Sequence, residues 1–370
     1  MRLTGYFLVP LMLGLLVGPL WAQEVGNPLE AIQAKAEIGA EDAQQIQAFI
    51  TERVQLVSGD EAADARRAAS DLRQAFDGSD AFKSAYTAAY IEIADPAVKK
   101  ANLVAATRLL AIANTFNTIE MRPLLVEALG DNRVGIRATG AVGLRLLRQK
   151  LGADRDVWQQ TLEALKEAGK SERSREVLRT IYAAMNYAEV GVQPDARVNA
   201  AAVLELLEER AKQYTGGTVT PVGADDAGLR AIRSLSASLG EPQKKRLVLV
   251  VATMMKHAIV RYTMAINEGQ RKLSEVSSKH GSRELLAHRN AMERLIVIGE
   301  EILQQLLEVD KKTPVTENMK KLNTPDMKNA WIEWNTLLVE RVEQGFALPE
   351  VPAEEEKEDE SGDEAAKEGE

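Results

Sequence analysis

Between residues 122 and 147 the chain reads RPLLVEALGDNRVGIRATGAVGLRLL, two apolar runs parted at Gly130-Asp131. In the first run Leu124, Leu125, Ala128 and Leu129 recur at helical spacing, and Pro123 stands in the first turn, where an N–H has no intrahelical partner to lose. In the second, Val134, Ala138, Ala141 and Val142 share one face, which Leu144 and Leu147 widen. The break predicts Gly130 in a left-handed helix cap and Asp131 or Asn132 capping the next helix. Gly140 and Gly143 each disfavour a helix interior by about 1 kcal/mol relative to Ala, so their presence points to close approach of a neighbouring helix. Such a hairpin cannot bury both of its faces alone.

Related runs occur on either side. DEAADARRAASDLRQAF, from Asp60, places Arg66 six residues after an Asp, as Arg137 follows Asp131. DPAVKKANLVAATRLL, from Asp95, places Lys99 after Val98 with a shorter turn, and TLEALKEAGKSERSREVLRTIYAAM, from Thr161, carries LEALKE in the place of VEALGD. With Arg66, Lys99, Arg137 and Arg175 taken as equivalent, the spacings are 33, 38 and 38, a period that marks stacked two-helix units.

Residues 122–147 resemble a HEAT repeat. The family's proline and leucines of the first helix, Asp at the turn, apolar-Arg pair opening the second helix, and small residues and leucines after it fall on Pro123, Leu124, Leu125, Leu129, Asp131, Ile136, Arg137, Gly140, Ala141, Leu144 and Leu147. The likeness extends more weakly over about 41–186: Ala65 precedes the Arg of the Asp60 copy, and the Thr161 unit has neither the turn Asp nor the early proline. The resemblance implies an α-solenoid that binds other proteins along an extended face, and it implies no catalytic residues.

Further along, QPDARVNAAAVLELLEERAKQY from Gln193 reads as a helix capped by Asp195, and TGGTVTPVGADD, Thr215 to Asp226, as a loop. Long helices follow. One opens at Glu241-Pro242 and carries LVLVVATMM, apolar all round and so expected at the centre of a bundle, nine residues being too few to span a bilayer. Another places Leu285, Met292, Ile296, Gly299, Leu303 and Leu306 on one stripe; the last, from Thr324-Pro325, does the same with Met327, Trp331, Trp334, Leu338 and Val342. At the other end, MRLTGYFLVPLMLGLLVGPLWA has one Arg ahead of a 16-residue apolar run broken by Pro10, Gly14, Gly18 and Pro19. It reads as an export signal cleaved after Ala22.

Charge is segregated. Residues 353–370 carry −8, residues 226–352 carry +3, and within these 243–294 carry +7. The tail has too little apolar surface to fold, and its charge suits it to cover the basic segment transiently. The absence of cysteine excludes disulfides, thiolate metal sites and cysteine nucleophiles. GDNRVGIRATG lacks the Lys-Ser/Thr ending of a P-loop, and no Gly-x-Ser-x-Gly elbow occurs. His280 and His288, with Glu284, would share a face of one continuous helix and could hold a metal, but Gly281-Ser282 reads as a helix start between them, so these and His257 are expected as surface or hydrogen-bonded histidines. Trp331 and Trp334 could stack sugars or bases, yet their apolar stripe assigns them to a core. The basic segment has only Tyr262 among its charges, a weak pattern for nucleic acid.

The expectation is an all-α protein: signal peptide 1–22, an α-solenoid of HEAT-like helical hairpins 23–214, loop or linker 215–225, a long-helix bundle 226–348 and a disordered acidic tail 349–370. Its expected role is that of a non-catalytic scaffold, periplasmic or secreted, that binds one or more protein partners. The alternatives are an envelope hydrolase of unfamiliar helical type and a factor binding anionic envelope polymers through 243–294. No catalytic, cofactor-binding or metal residue is assigned, no cofactor is expected, and no transmembrane span is expected in the mature chain.

Overall fold

The computed structural model describes residues 28–192, 194–219, 223–274, 281–309 and 315–348, and the side chains of all of these except 267–274 and 281–288. The expected signal peptide, the acidic tail and His280 lie outside the described residues, as do the side chains of Glu284, Leu285 and His288. The protein is all-α, with fifteen α-helices and no strand among the described residues. It separates into two compact units, Met1–Leu124 and Leu125–Glu370.

The first unit holds α1 (Glu30–Gln33), α2 (Ala40–Ser58), α3 (Ala62–Gln74), α4 (Asp80–Lys100) and α5 (Leu103–Phe116). Helix α2 packs on α3 and α4, and α5 closes on all three. Phe116 is the hub of the core: Phe76 stacks on it with ring centroids 4.3 Å apart, and Tyr86 and Tyr90 meet it edge-on. Both hydroxyls find backbone acceptors, Tyr86 Oη donating to Leu72 O at 3.0 Å and Tyr90 Oη to Leu109 O at 2.7 Å, which removes the penalty of burying them.

The structure corrects the turn expected at Asp95. Asp95 and Pro96 lie inside α4. Ala94 and Val98 stay buried one turn apart, and Asp95 pairs with Lys99 at 2.9 Å, so the run remains a good amphipathic helix at the cost of one backbone bond. The turn comes later, where Asn102 Oδ1 accepts the Ala105 N–H at 3.0 Å and caps α5. Lys99 therefore closes a first helix, whereas Arg66 and Arg137 lie in second helices, and the even spacing built on Lys99 does not hold.

The division between units falls within α6 (Arg122–Ala128). The second unit continues with α7 (Val134–Leu151), α8 (Arg155–Ser171), α9 (Arg175–Met185), α10 (Ala196–Thr215), α11 (Asp226–Leu235), α12 (Glu241–Ser274), α13 (Gly281–Leu307), α14 (Val315–Lys320) and α15 (Thr324–Val342). Their packing alternates. Helices α8, α10 and α12 lie side by side in one layer; α7, α9, α11 and α13 lie side by side in the other; and the pairs α8/α9, α10/α11 and α12/α13 pack as hairpins between the layers. The Gly- and Thr-rich loop between α10 and α11 does not interrupt this order.

Helix α7 buries Ile136, Gly140, Ala141, Gly143, Leu144, Leu147 and Leu151, while Val134 and Val142 are exposed, contrary to the expected face. The contact selects the smallest side chains: a Cβ on Gly140 would stand 2.8 Å from both Ala128 Cβ and Leu125 O. Gly130 does not take the left-handed cap. Nor does Asp131 or Asn132 cap α7, whose N-cap is Arg133; Asp131 instead accepts the Arg133 N–H at 2.7 Å and the Arg133 guanidinium. Asp195 does cap α10, its Oδ1 accepting from the Arg197 and Val198 N–H groups.

Helix α12 includes a segment, Glu241–Ile266, long and apolar enough to cross a bilayer by length and composition. In the fold it is a core helix between α10, α13 and α15, with Leu247, Val251, Met255 and Ile259 fully buried. Trp331 and Trp334 are likewise buried; their ring N–H groups donate to Phe346 O at 2.8 Å and Glu300 Oε1 at 2.9 Å. Glu300 also accepts the Val315 and Thr316 N–H groups, so one buried carboxylate fixes the start of α14 and the middle of α15.

Candidate functional site

The loop leading into α11 ends GADD. Gly223 has φ +80° and lies so close to α13 that a Cβ there would meet Ala291 Cβ at 2.3 Å; only glycine makes that turn and that approach. The turn delivers Asp225 and Asp226 into the protein, both fully buried, against the exposure their loop composition suggests.

The two carboxylates have different surroundings. Asp225 is saturated: Arg210 donates to both oxygens at 2.9 and 3.1 Å, Tyr182 to Oδ1 at 2.9 Å, and Tyr214 to Oδ2 at 2.9 Å. Burial and then the Asp225 charge hold both phenols well above their ordinary pKa, so they remain donors. Burial opposes the charge of Arg210, but Asp225 outweighs it and the guanidinium pKa is raised. This group joins α9, α10 and α11 and is structural.

Asp226 opens α11, where the helix dipole favours an anion. Arg179 of α9 takes its Oδ1, Arg230 of α11 takes its Oδ2, and Arg294 Nε of α13 approaches Oδ2 at 3.3 Å. Arg175 stands one turn before Arg179 on α9. Three guanidinium groups thus gather about one carboxylate, and Arg175 is near enough to feel the charges of Arg294, Arg179 and Asp226. Burial, then Arg294, then Arg179 hold the Arg175 pKa below its ordinary value.

Beside this cluster lies an open groove of about 580 Å³ lined by Arg230, Arg233, Arg289, Glu293, Arg294, Val297, Ile298, Glu301, Met319 and Lys320. Arg233 pairs with Glu301, and Arg289 with Glu293 at 2.8 Å, leaving a basic rim over an apolar floor. A second groove, about 490 Å³, lies beside Arg137 and Glu172. There Arg137 donates to Glu172 at 2.7 and 3.0 Å and to the Asp131 and Asn132 carbonyls, clasping the turns of two successive hairpins. Glu172 also accepts the Arg173 and Ser174 N–H groups.

Of the residues singled out from sequence, His257 is half-buried and lines neither groove; burial, then Lys256 and Arg261, depress its pKa. Within the basic segment 243–294, side chains are described for 243–266 and 289–294. Arg246 is taken by Glu208 of α10, while Arg289 and Arg294 join residues of α11 and α14 in the groove. Arg179, Arg230 and Arg233 were not singled out, and Arg175 only as a repeat position. The one local signal was Arg230 four residues after Asp226; the other partners come from helices far apart in the chain. No group of three or more potential metal ligands occurs among the described residues. Comparison with protein-family models, curated proteins and solved structures finds no match for this chain.

Proposed function

We propose that this chain is an exported, non-catalytic scaffold of HEAT-like helical hairpins, working in the periplasm or outside the cell, and that the groove between α11, α13 and α14 docks an acidic segment of a partner protein. The observation that carries the reading is the groove itself, with arginines from α11 and α13 and Lys320 of α14 around an apolar floor of Val297, Ile298 and Met319. Arginine rims with apolar centres suit protein recognition. Alternating packing of successive hairpins supports the solenoid reading, and the broken apolar run at the N-terminus supports export.

The test is capture from the envelope fraction of the native host, with the wild type beside a charge-reversed Arg233→Glu/Arg289→Glu/Lys320→Glu variant. The reading expects partners that the wild type retains, that the variant loses and that added salt releases; identical retention by both proteins would defeat it. An anionic envelope polymer is a second reading favoured by the same arginines, and nuclease- and protease-resistant material eluting with the wild type would select it. Intact-mass analysis tests export: the mature chain should start near Gln23, and a chain starting at Met1 and extracted only with detergent would refute it.

A further inference from the structure

We propose that Arg175, Arg179 and Arg294, with Arg230 beside them, form a binding site for a tetrahedral oxyanion, a phosphate or sulfate group, between α9, α11 and α13.

Three observations converge. The Asp226 carboxylate is fully buried and already holds Arg179 on one oxygen and Arg230 on the other. Arg294 reaches the same carboxylate too late: its buried Nε sits 3.3 Å from Oδ2 without hydrogen-bond alignment and has no acceptor. Arg175 makes no hydrogen bond or ion pair among the described residues, although it is half-buried and stands on the same side of α9 as Arg179, one turn away. The acids nearby are spoken for. Glu293 accepts from Arg289 and Glu301 from Arg233, while Glu176, exposed and held by Ser174 Oγ at 3.3 Å, acts on Arg175 more weakly than the repelling Arg294 and Arg179 do. Like charges are therefore held together by three packed helices with donors left over, and burial and its arginine neighbours depress the Arg175 pKa accordingly.

An anion relieves both the repulsion and the unused donors. A carboxylate brings one charge, whereas a phosphate or sulfate brings two and offers oxygens in several directions to guanidinium forks. Because the arginines sit on helices of a packed layer, little ordering accompanies binding. The site needs no partner protein, so it stands or falls separately from the scaffold reading.

The experiment is thermal unfolding of the full mature chain at pH 8 in inorganic phosphate, sulfate or chloride at matched ionic strength. The midpoint should rise by about 5 °C once phosphate is about a hundredfold above its dissociation constant, with no such rise in chloride. Arg175→Gln should abolish the response while leaving the anion-free midpoint unchanged or higher, since it removes a like charge; an arginine with a merely structural role would lower that midpoint. Arg145→Gln, exposed and remote on α7, should respond as the wild type does. Glycerol phosphate distinguishes sources: a response equal to that of inorganic phosphate assigns an esterified group, and its failure beside a response to phosphate assigns the free ion. Equal midpoints in phosphate and chloride, or a full response in Arg175→Gln, would overturn the proposal. So would a response seen only after deletion of 353–370, for the carboxylates of the tail would then be the occupants.

Discussion

Replacing Arg210 by Met removes the cation from the most enclosed ion pair of the second unit. Arg210 and Asp225 are both 0% exposed, so solvent screening does not soften the loss. Asp225 would keep the Tyr182 and Tyr214 hydroxyls and lose both guanidinium bonds. Stripping one partner from a buried pair costs about 3–5 kcal/mol, which is about a fifth or more of the stability of a typical domain, about 5–15 kcal/mol. Asp225→Asn should cost a similar amount by leaving Arg210 without a counter-charge. The double variant should cost much less than the two single losses together, with a coupling of at least about 2 kcal/mol. Urea melts followed by tryptophan fluorescence suit the question, since Trp158, Trp331 and Trp334 all lie in this unit. An Arg210→Met loss below about 1 kcal/mol, or single losses that add, would refute the reasoning.

Other outcomes follow from the packing of the hairpins. Gly140→Ala should destabilise by about 1–3 kcal/mol despite the better helix propensity of alanine, because the added methyl meets Ala128 and the Leu125 carbonyl at 2.8 Å; a gain in melting midpoint would contradict the close approach. Leu144→Ala should cost about 2–5 kcal/mol and Arg145→Ala within about 0.5 kcal/mol, the first being buried and the second exposed; similar urea shifts for the two would mean the α7 faces are misassigned. Arg137→Ala should cost about 2 kcal/mol at neutral pH, less than a fully enclosed pair because Arg137 is partly exposed. Burial pushes the Glu172 carboxyl up, but the Arg137 hydrogen bond and the Ser174 N–H outweigh it and hold the pKa below its ordinary value. The wild-type advantage is therefore complete above the ordinary glutamate pKa, about 4.3, and disappears as pH falls through the depressed folded value. Melts of both proteins down to pH 3 check this, and a gap independent of pH would count against the clasp.

Local physics is what the sequence makes legible. The break between α6 and α7, the Asp195 cap, the all-round apolar run of α12 and the tryptophan face of α15 each depend on residues within a few turns of one another. The errors arise where tertiary packing decides. Valine looks like a core residue, but α7 turns Val134 and Val142 outward because Gly140 and Ala141 allow closer contact. Asp95-Pro96 looks like a turn, but Ala94 and Val98 hold the helix together across it. The arginine cluster was the least legible feature. Its arginines sit at 175, 179, 230 and 294, and the loop that brings Asp226 among them has the composition of exposed chain.

The ion pairs of the second unit also bear on its mechanics. Arg137–Glu172, Arg179–Asp226 and Arg233–Glu301 tie neighbouring hairpins along one layer, while Lys166–Glu205 and Arg246–Glu208 do so along the other. The apolar contacts keep the helices together, and these more exposed links resist sliding and splaying at the joints. Salt weakens the exposed links, Arg233–Glu301 and Arg246–Glu208 above all, more than the apolar contacts or the links to the buried Glu172 and Asp226. The unit should therefore behave as a spring whose stiffness falls with ionic strength, its hairpins remaining folded while the angles between them soften.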